Sequence, residues 1–282
     1  MRLFAWIILA GCVLAAPSAH ADGWTQRKQS GFYKVNFRFV SAGSFYERSG
    51  TQIDIPTLRD YTVSFYGEYG LTDRLTAFAY VPFFERITLN EQVGTETGFV
   101  FFEGDAVSGV ADPDIGLRYG LVTQGPVVLS ASLRFGLPIG RDEQPNGLLT
   151  GDGEFNQHLA LEAGYSLYPV PAYAVASLGF NNRTGGFSDE VIYGIEAGYT
   201  VGVWLTLIGR LRGVESLKNG EDGTLGGGSG LYANNQRFLS PGVEVLVTPQ
   251  TGYGVSLGVD GAFFGENVLA APAFSLGVFM SR

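Results

Sequence analysis

Apolar side chains recur at every second position in block after block of this chain, and turn-forming residues separate the blocks. Side chains of a strand point alternately to its two faces, so period-two alternation reads as strands, not helices. In the first block Tyr33, Val35, Phe37 and Phe39 share one face, and Lys34, Asn36 and Arg38 share the other. Twelve blocks are expected, at about 31–41, 60–71, 75–84, 113–122, 126–137, 157–167, 173–182, 190–200, 204–215, 238–247, 253–264 and 272–280. The third has unclear parity, and the seventh is weakly patterned. No segment after the leader has the long apolar run of a spanning helix. Strands of about 9–11 residues with one apolar face can cross a bilayer, provided the sheet closes and leaves no backbone group unpaired.

The connections alternate in length. Short ones fall at 72–74, 124–125, 168–171, 201–203 and 249–252. Longer ones are expected near 42–59, 85–112, 138–156, 183–189, 213–237 and 265–271. Outer-membrane barrels have this asymmetry, with tight periplasmic turns and long extracellular loops. The expected fold is therefore all-β: a transmembrane antiparallel up-and-down β-barrel of about twelve strands. Tyr33, Tyr69, Tyr119, Tyr165, Tyr199 and Tyr253 fall at the expected periplasmic ends and on the lipid-facing parity, as an aromatic girdle would. A soluble sandwich or lipocalin-like barrel would bury its apolar face and would not explain that ring.

Composition agrees. Charged residues are 16% against about 25% in average soluble domains, and Gly numbers 41 of 282. Glycine weakens helices but serves twisted, crowded strands. Residues 1–21 read as a secretory signal: Arg2, an apolar run from Leu3 to Ala16, then Ala19-His20-Ala21 before Asp22. Leu9-Ala10-Gly11-Cys12 offers a rival lipoprotein site, which would leave an apolar tail at the new terminus. Residues 22–282 are then the barrel. Cleavage after Ala21 removes the only cysteine, so no disulfide or thiolate metal site is expected. The formal charge of −9 becomes −10 with the loss of Arg2. That acidity argues against binding nucleic-acid phosphate. The expected partners are outer-membrane lipid, a small-molecule solute and the barrel-assembly machinery. The chain ends Phe279-Met280-Ser281-Arg282, so a terminal aromatic assembly signal would be displaced.

Three stretches carry a family likeness: Thr150 to Gln157, Asn182 to Glu190, and Asn267 to Phe279. Together they resemble the bacterial outer-membrane proteins named for the meta-pathway of phenol degradation, often labelled simply as transporters. The resemblance implies a β-barrel and passage of small hydrophobic or aromatic compounds. It carries over no binding residue.

The inward parity collects Lys34, Arg38, Glu68, Asp114, Arg118, Arg134, His158, Glu162, Glu196, Arg210, Arg212 and Glu244 as candidate lumen-lining residues. Opposed charges in a narrow lumen either filter solutes or pair as a structural filling. His158 is the only histidine after the leader; with Ser132 and Glu162 nearby it could serve a lipid hydrolase, yet no Ser-centred motif accompanies it. Asp112-Pro113-Asp114 and Gly151-Asp152-Gly153-Glu154 are turns that could take Ca²⁺ but more simply serve turn geometry. No metal and no cofactor is expected. The Gly-rich stretch Thr224 to Gly230 lacks a phosphate-loop Lys and reads as a loop tip. Phe99-Val100-Phe101-Phe102 is apolar for an extracellular loop; it would either dock a hydrophobic solute at the mouth, through Phe99, Phe101 and Phe102, or extend the fourth strand or pack loop on loop. The leading expectation is a channel for small, hydrophobic molecules. A non-conducting adhesive or structural barrel and a lipid-modifying enzyme are the alternatives.

Overall fold

The computed structural model describes residues 23–282, apart from 225, 227–230 and 251. The signal segment, with its alternatives at Ala21 and Cys12, lies outside the described residues, as does most of the Gly-rich loop tip.

The twelve alternating blocks form twelve long strands: β1 Gly31–Tyr46, β2 Gln52–Gly70, β3 Leu75–Leu89, β4 Asp114–Val122, β5 Val127–Gly136, β6 Asn156–Ser166, β7 Ala172–Arg183, β8 Glu190–Val201, β9 Leu205–Ser216, β10 Arg237–Gln250, β11 Tyr253–Gly261 and β12 Pro272–Ser281. Each pairs antiparallel with its sequence neighbours, and β1 pairs with β12 to close the ring. The closing register opposes Val35 to Val278 and Phe37 to Leu276. Closure leaves no sheet edge, so the backbone is paired around the circumference. No helix occurs among the described residues.

Around the middle of the ring the apolar side chains point out. Leu133, Leu159, Leu161, Ile195, Leu257 and Leu276 are all exposed there. The opposite parity is polar and buried, as at Thr62, Ser64, Ser130 and Glu162. An apolar exterior of this extent is stable only in lipid. The chain is an outer-membrane β-barrel.

The first three strands are longer than the sequence pattern predicts, and the reason is physical. β2 has 19 residues, about twice the length that a bilayer needs. Beyond the membrane water bathes the outside, so the pattern inverts. Along β1, Phe37 and Phe39 face lipid, whereas higher up Ser41 faces out and Val40 and Ala42 are buried inside. The expected loop over 42–59 is instead a continuation of the β1–β2 hairpin, turning at residues 47–51. In β3 the ambiguous parity comes from a bulge. The register against β2 shifts between Val63 and Phe65, and Phe83 and Phe84 both end up exposed. β11 stops at Gly261, short of the expected Phe264; Phe264–Glu266 pairs with the extracellular end of β10 instead.

Two extracellular segments fold inward. Leu148 of the 137–155 loop and Leu231 and Tyr232 of the 217–236 loop pack on Val40, Leu58, Ile87, Val107 and Leu269. This apolar lid fills the upper mouth. At the opposite end residues 23–30 run inside the barrel before β1 begins.

Candidate functional site

The interior is layered along the barrel axis. At the periplasmic end the N-terminal segment crosses the lumen. The Trp24 ring meets Tyr173 edge-on at 5.9 Å. Gly164 makes room for it, since a Cβ there would lie 2.7 Å from the indole. The Gln26 backbone N–H donates to Thr76 Oγ1 at 2.8 Å, and the Gln26 side chain donates to Glu68 at 2.7 Å. Lys28 N–H donates to Asp73, and Gln29 N–H to the Gly70 carbonyl.

Above this strap lies a buried polar network. Arg118 of β4 reaches Glu68 of β2 at 2.9 Å and Glu162 of β6 at 3.4 Å. Ser130 and Ser132 of β5 donate their hydroxyls to Glu162 at 2.7 and 2.6 Å, and Tyr66 donates to Glu68 at 2.5 Å. On the other wall Lys34 and Arg210 share Glu244, each at 2.5 Å, and Arg210 also binds Glu196 at 2.5 Å. Tyr173 donates to Glu196 at 2.7 Å. Each buried carboxylate here has a cation, as the cost of burying a lone charge requires.

The next layer is different. Arg212 lies on the inward parity of β9 yet is exposed to water, and it makes no ion pair within 4.0 Å among the described residues. Arg134 meets only Asp114, at 3.9 Å. Arg38 stands 3.6 Å from both Asp60 and Asp260, and the Asp260 side chain is 48% exposed. Inward-facing charges that remain wet define an aqueous space in the barrel. His158 sits beside this space with its ring laid on Gly179, whose missing Cβ admits it.

Of the lumen candidates from the sequence, Glu68, Arg118 and Glu162 lie in the buried network, and Lys34, Glu196, Arg210 and Glu244 form the second cluster. Arg38, Asp114, Arg134, His158 and Arg212 border the aqueous space. Ser132 hydroxyl donates to Glu162, so it does not engage His158. Asp260, Asp60 and Tyr173 were not singled out in the sequence. The alternation of Val255, Leu257 and Val259 with Ser256, Gly258 and Asp260 could have shown the first. Trp24 and Gln26 precede every periodic segment, and no pattern points to them. Of the six tyrosines expected as a girdle, Tyr69, Tyr119, Tyr165, Tyr199 and Tyr253 are exposed and Tyr33 is half-buried.

Above the aqueous layer the acidic turns resolve into turn chemistry. Asp112 accepts N–H bonds from Ile139, Gly140 and Asp152, which pins the 137–155 loop. Asp152, Glu154 and Glu190 converge on Arg183, which also lies over the Phe187 ring at 4.6 Å. A guanidinium thus occupies the centre of the carboxylate cluster. Phe99 and Phe101 stand exposed on a small ribbon formed by Gln92–Val93 and Val100–Phe102, their rings 5.1 Å apart edge to face. Phe102 is half-buried on the same ribbon. The mouth itself is filled by the 137–155 and 217–236 loops, whose apolar stretches, Leu148-Leu149 and Leu231-Tyr232-Ala233, are too short to stand out as a run.

No family model matches the sequence, and no curated protein is significantly similar to it. Solved structures do share its fold. An outer membrane channel from Pseudomonas putida F1 superposes with a TM-score of 0.69 at 16% identity, over 93% of this chain and 99% of that one. The NanC porin gives 0.52 at 6% identity, over 87% and 98%. The translocator domain of autotransporter NalP from Neisseria meningitidis gives 0.50 at 12% identity, over 92% and 91%. At these identities the likeness is one of fold.

Proposed function

We propose that this barrel is an outer-membrane channel for small molecules with an apolar or aromatic body. The observation that carries the reading is the wet, charged layer at Arg38, Arg134, Arg212 and Asp260. A barrel filled for stability alone would bury such groups, as the Glu68–Arg118–Glu162 network is buried, whereas Arg38 and Arg134 stay partly wet at 3.6 and 3.9 Å from their carboxylates. Long inward side chains in a lumen of this size restrict both width and charge. The lid supports the apolar part of the proposal. A solute entering from outside meets Leu148, Leu231 and Tyr232 before it meets the arginines, so an amphiphile suits the path better than a sugar.

The second reading, a non-conducting barrel, draws on that same lid, because it covers the mouth. Reconstitution separates the two. Current across planar bilayers, or swelling of proteoliposomes in small solutes, is expected for a channel. Vesicles that stay sealed to every solute tested, with the folded barrel inserted, would reject it.

A further inference from the structure

We infer that Arg134, His158 and Arg212 form a binding site for a small organic carboxylate inside the lumen. The inference rests on the channel reading and deepens it by naming the charged handle of the solute.

Three strands place the groups. Arg134 on β5 is directly opposite His158 on β6. Arg212 stands on β9, opposite Gly194 and three strands from His158, on the same inward parity and near enough for its charge to act on the imidazole. The two guanidiniums act electrostatically on His158 and on each other. Two like charges held together repel, and the barrel wall gives no carboxylate close enough to neutralise both. Asp114 is 3.9 Å from Arg134. Glu190 is committed to Arg183 at 2.7 Å, and Asp260 leans on Arg38 at 3.6 Å. All three act on Arg212 only from beyond ion-pair distance.

The remaining hydrogen-bonding capacity points the same way. A guanidinium has five N–H donors and no acceptor. Those of Arg212 face water. His158 Nε2 is buried and has no hydrogen-bond partner among the described residues. It lies on Gly179, where any larger residue would collide with the ring. A carboxylate entering between the arginines would relieve their repulsion and match the planar fork of a guanidinium with two oxygens. Neutral solutes offer neither term. The lid supplies an apolar surface above this site, so an aromatic or aliphatic body can trail the carboxylate.

The test uses the full barrel, purified in detergent and checked for folding by its heat-modifiable migration. Benzoate and acetate are titrated calorimetrically, with benzamide as the uncharged counterpart of benzoate. Saturable benzoate binding is expected, with benzamide at least tenfold weaker. The variant R134Q/R212Q should weaken benzoate at least tenfold. R212Q alone removes no ion pair and should fold normally, so it serves if the double variant does not; a loss of severalfold is expected from it. Equal binding of benzoate and benzamide, or no benzoate binding, would overturn the site, as would unchanged benzoate affinity in the variants. Bilayer current is read separately. Benzoate binding without any current would retain the site and reject the channel; current without benzoate binding would do the reverse.

Discussion

Arg118 on β4 bridges Glu68 on β2 and Glu162 on β6, and Arg118 and Glu68 are each only 3% exposed. One guanidinium therefore ties strands on both sides of it through the lumen. Removing it strands two buried carboxylates, which is far worse than losing an exposed pair. Arg118→Ala is expected to destabilise the barrel by about 3–5 kcal/mol. The triple change E68Q/E162Q/R118M should recover part of that, because it removes the stranded charges as well. Urea unfolding in detergent, followed by tryptophan fluorescence, measures both. Equal stability of wild type and Arg118→Ala would mean that the network carries no weight.

The N-terminal segment is held by a few side chains and crosses the periplasmic opening. Trp24→Ala loses the contact with Tyr173 and leaves the space over Gly164 empty. The expected result is a larger single-channel conductance, with little change in the unfolding of the barrel wall. Loss of the Gln26 bonds to Thr76 and Glu68 through deletion of residues 23–27 should enlarge it further. A conductance indifferent to both changes would place the narrowest point elsewhere.

Much of the barrel was legible because lipid outside and water inside impose opposite demands on alternate residues. β6 and β8 keep one parity from end to end, so their faces could be read from Leu161 and Ile195 alone, and β4 keeps it from Ile115 as far as a bulge between Gly120 and Val122. The pattern failed where a second environment intervened. Above the membrane Val40 and Leu58 face inward and Ser41 and Arg59 outward, which inverts the rule within a single strand. At Phe83 and Phe84 a bulge shifts the parity. Inward positions gave the charged residues, but periodicity carries no information about pairing. Nothing along the sequence separates the buried Arg118 from the wet Arg212. That distinction depends on which carboxylates reach across the lumen.

The outward parity makes a sharp prediction for Leu161, which is 56% exposed on the lipid face. Leu161→Arg puts a charge against the hydrocarbon and should cost about 2–4 kcal/mol. Leu161→Phe should be nearly neutral. The measurement is unfolding in lipid vesicles, where the environment of the outer face is retained; in a soluble barrel an exposed Arg would cost almost nothing.

The lid is clasped at its rim by charges that lie outside the membrane. Glu266 accepts hydrogen bonds from Lys218 at 2.8 Å and from Arg237 at 3.4 Å. The Lys218 ammonium, more than the partial burial that opposes it, holds the Glu266 carboxyl below its ordinary value of 4.5. A depressed carboxyl stabilises the clasp fully above about pH 4.5, and the contribution is lost as the pH falls through the lowered value. Acidifying the extracellular side to about pH 3 should therefore loosen the 217–236 loop, seen as faster proteolysis by an acid-active protease and a higher conductance. The change is a modest one, under about 1 kcal/mol for an exposed pair with a half-exposed lysine, or severalfold at most in the open population. Glu266→Gln should show the looser behaviour already at pH 7 and respond less to acid. A Glu266→Gln barrel with the wild-type acid response would assign the pH dependence to another group and leave the clasp without a role.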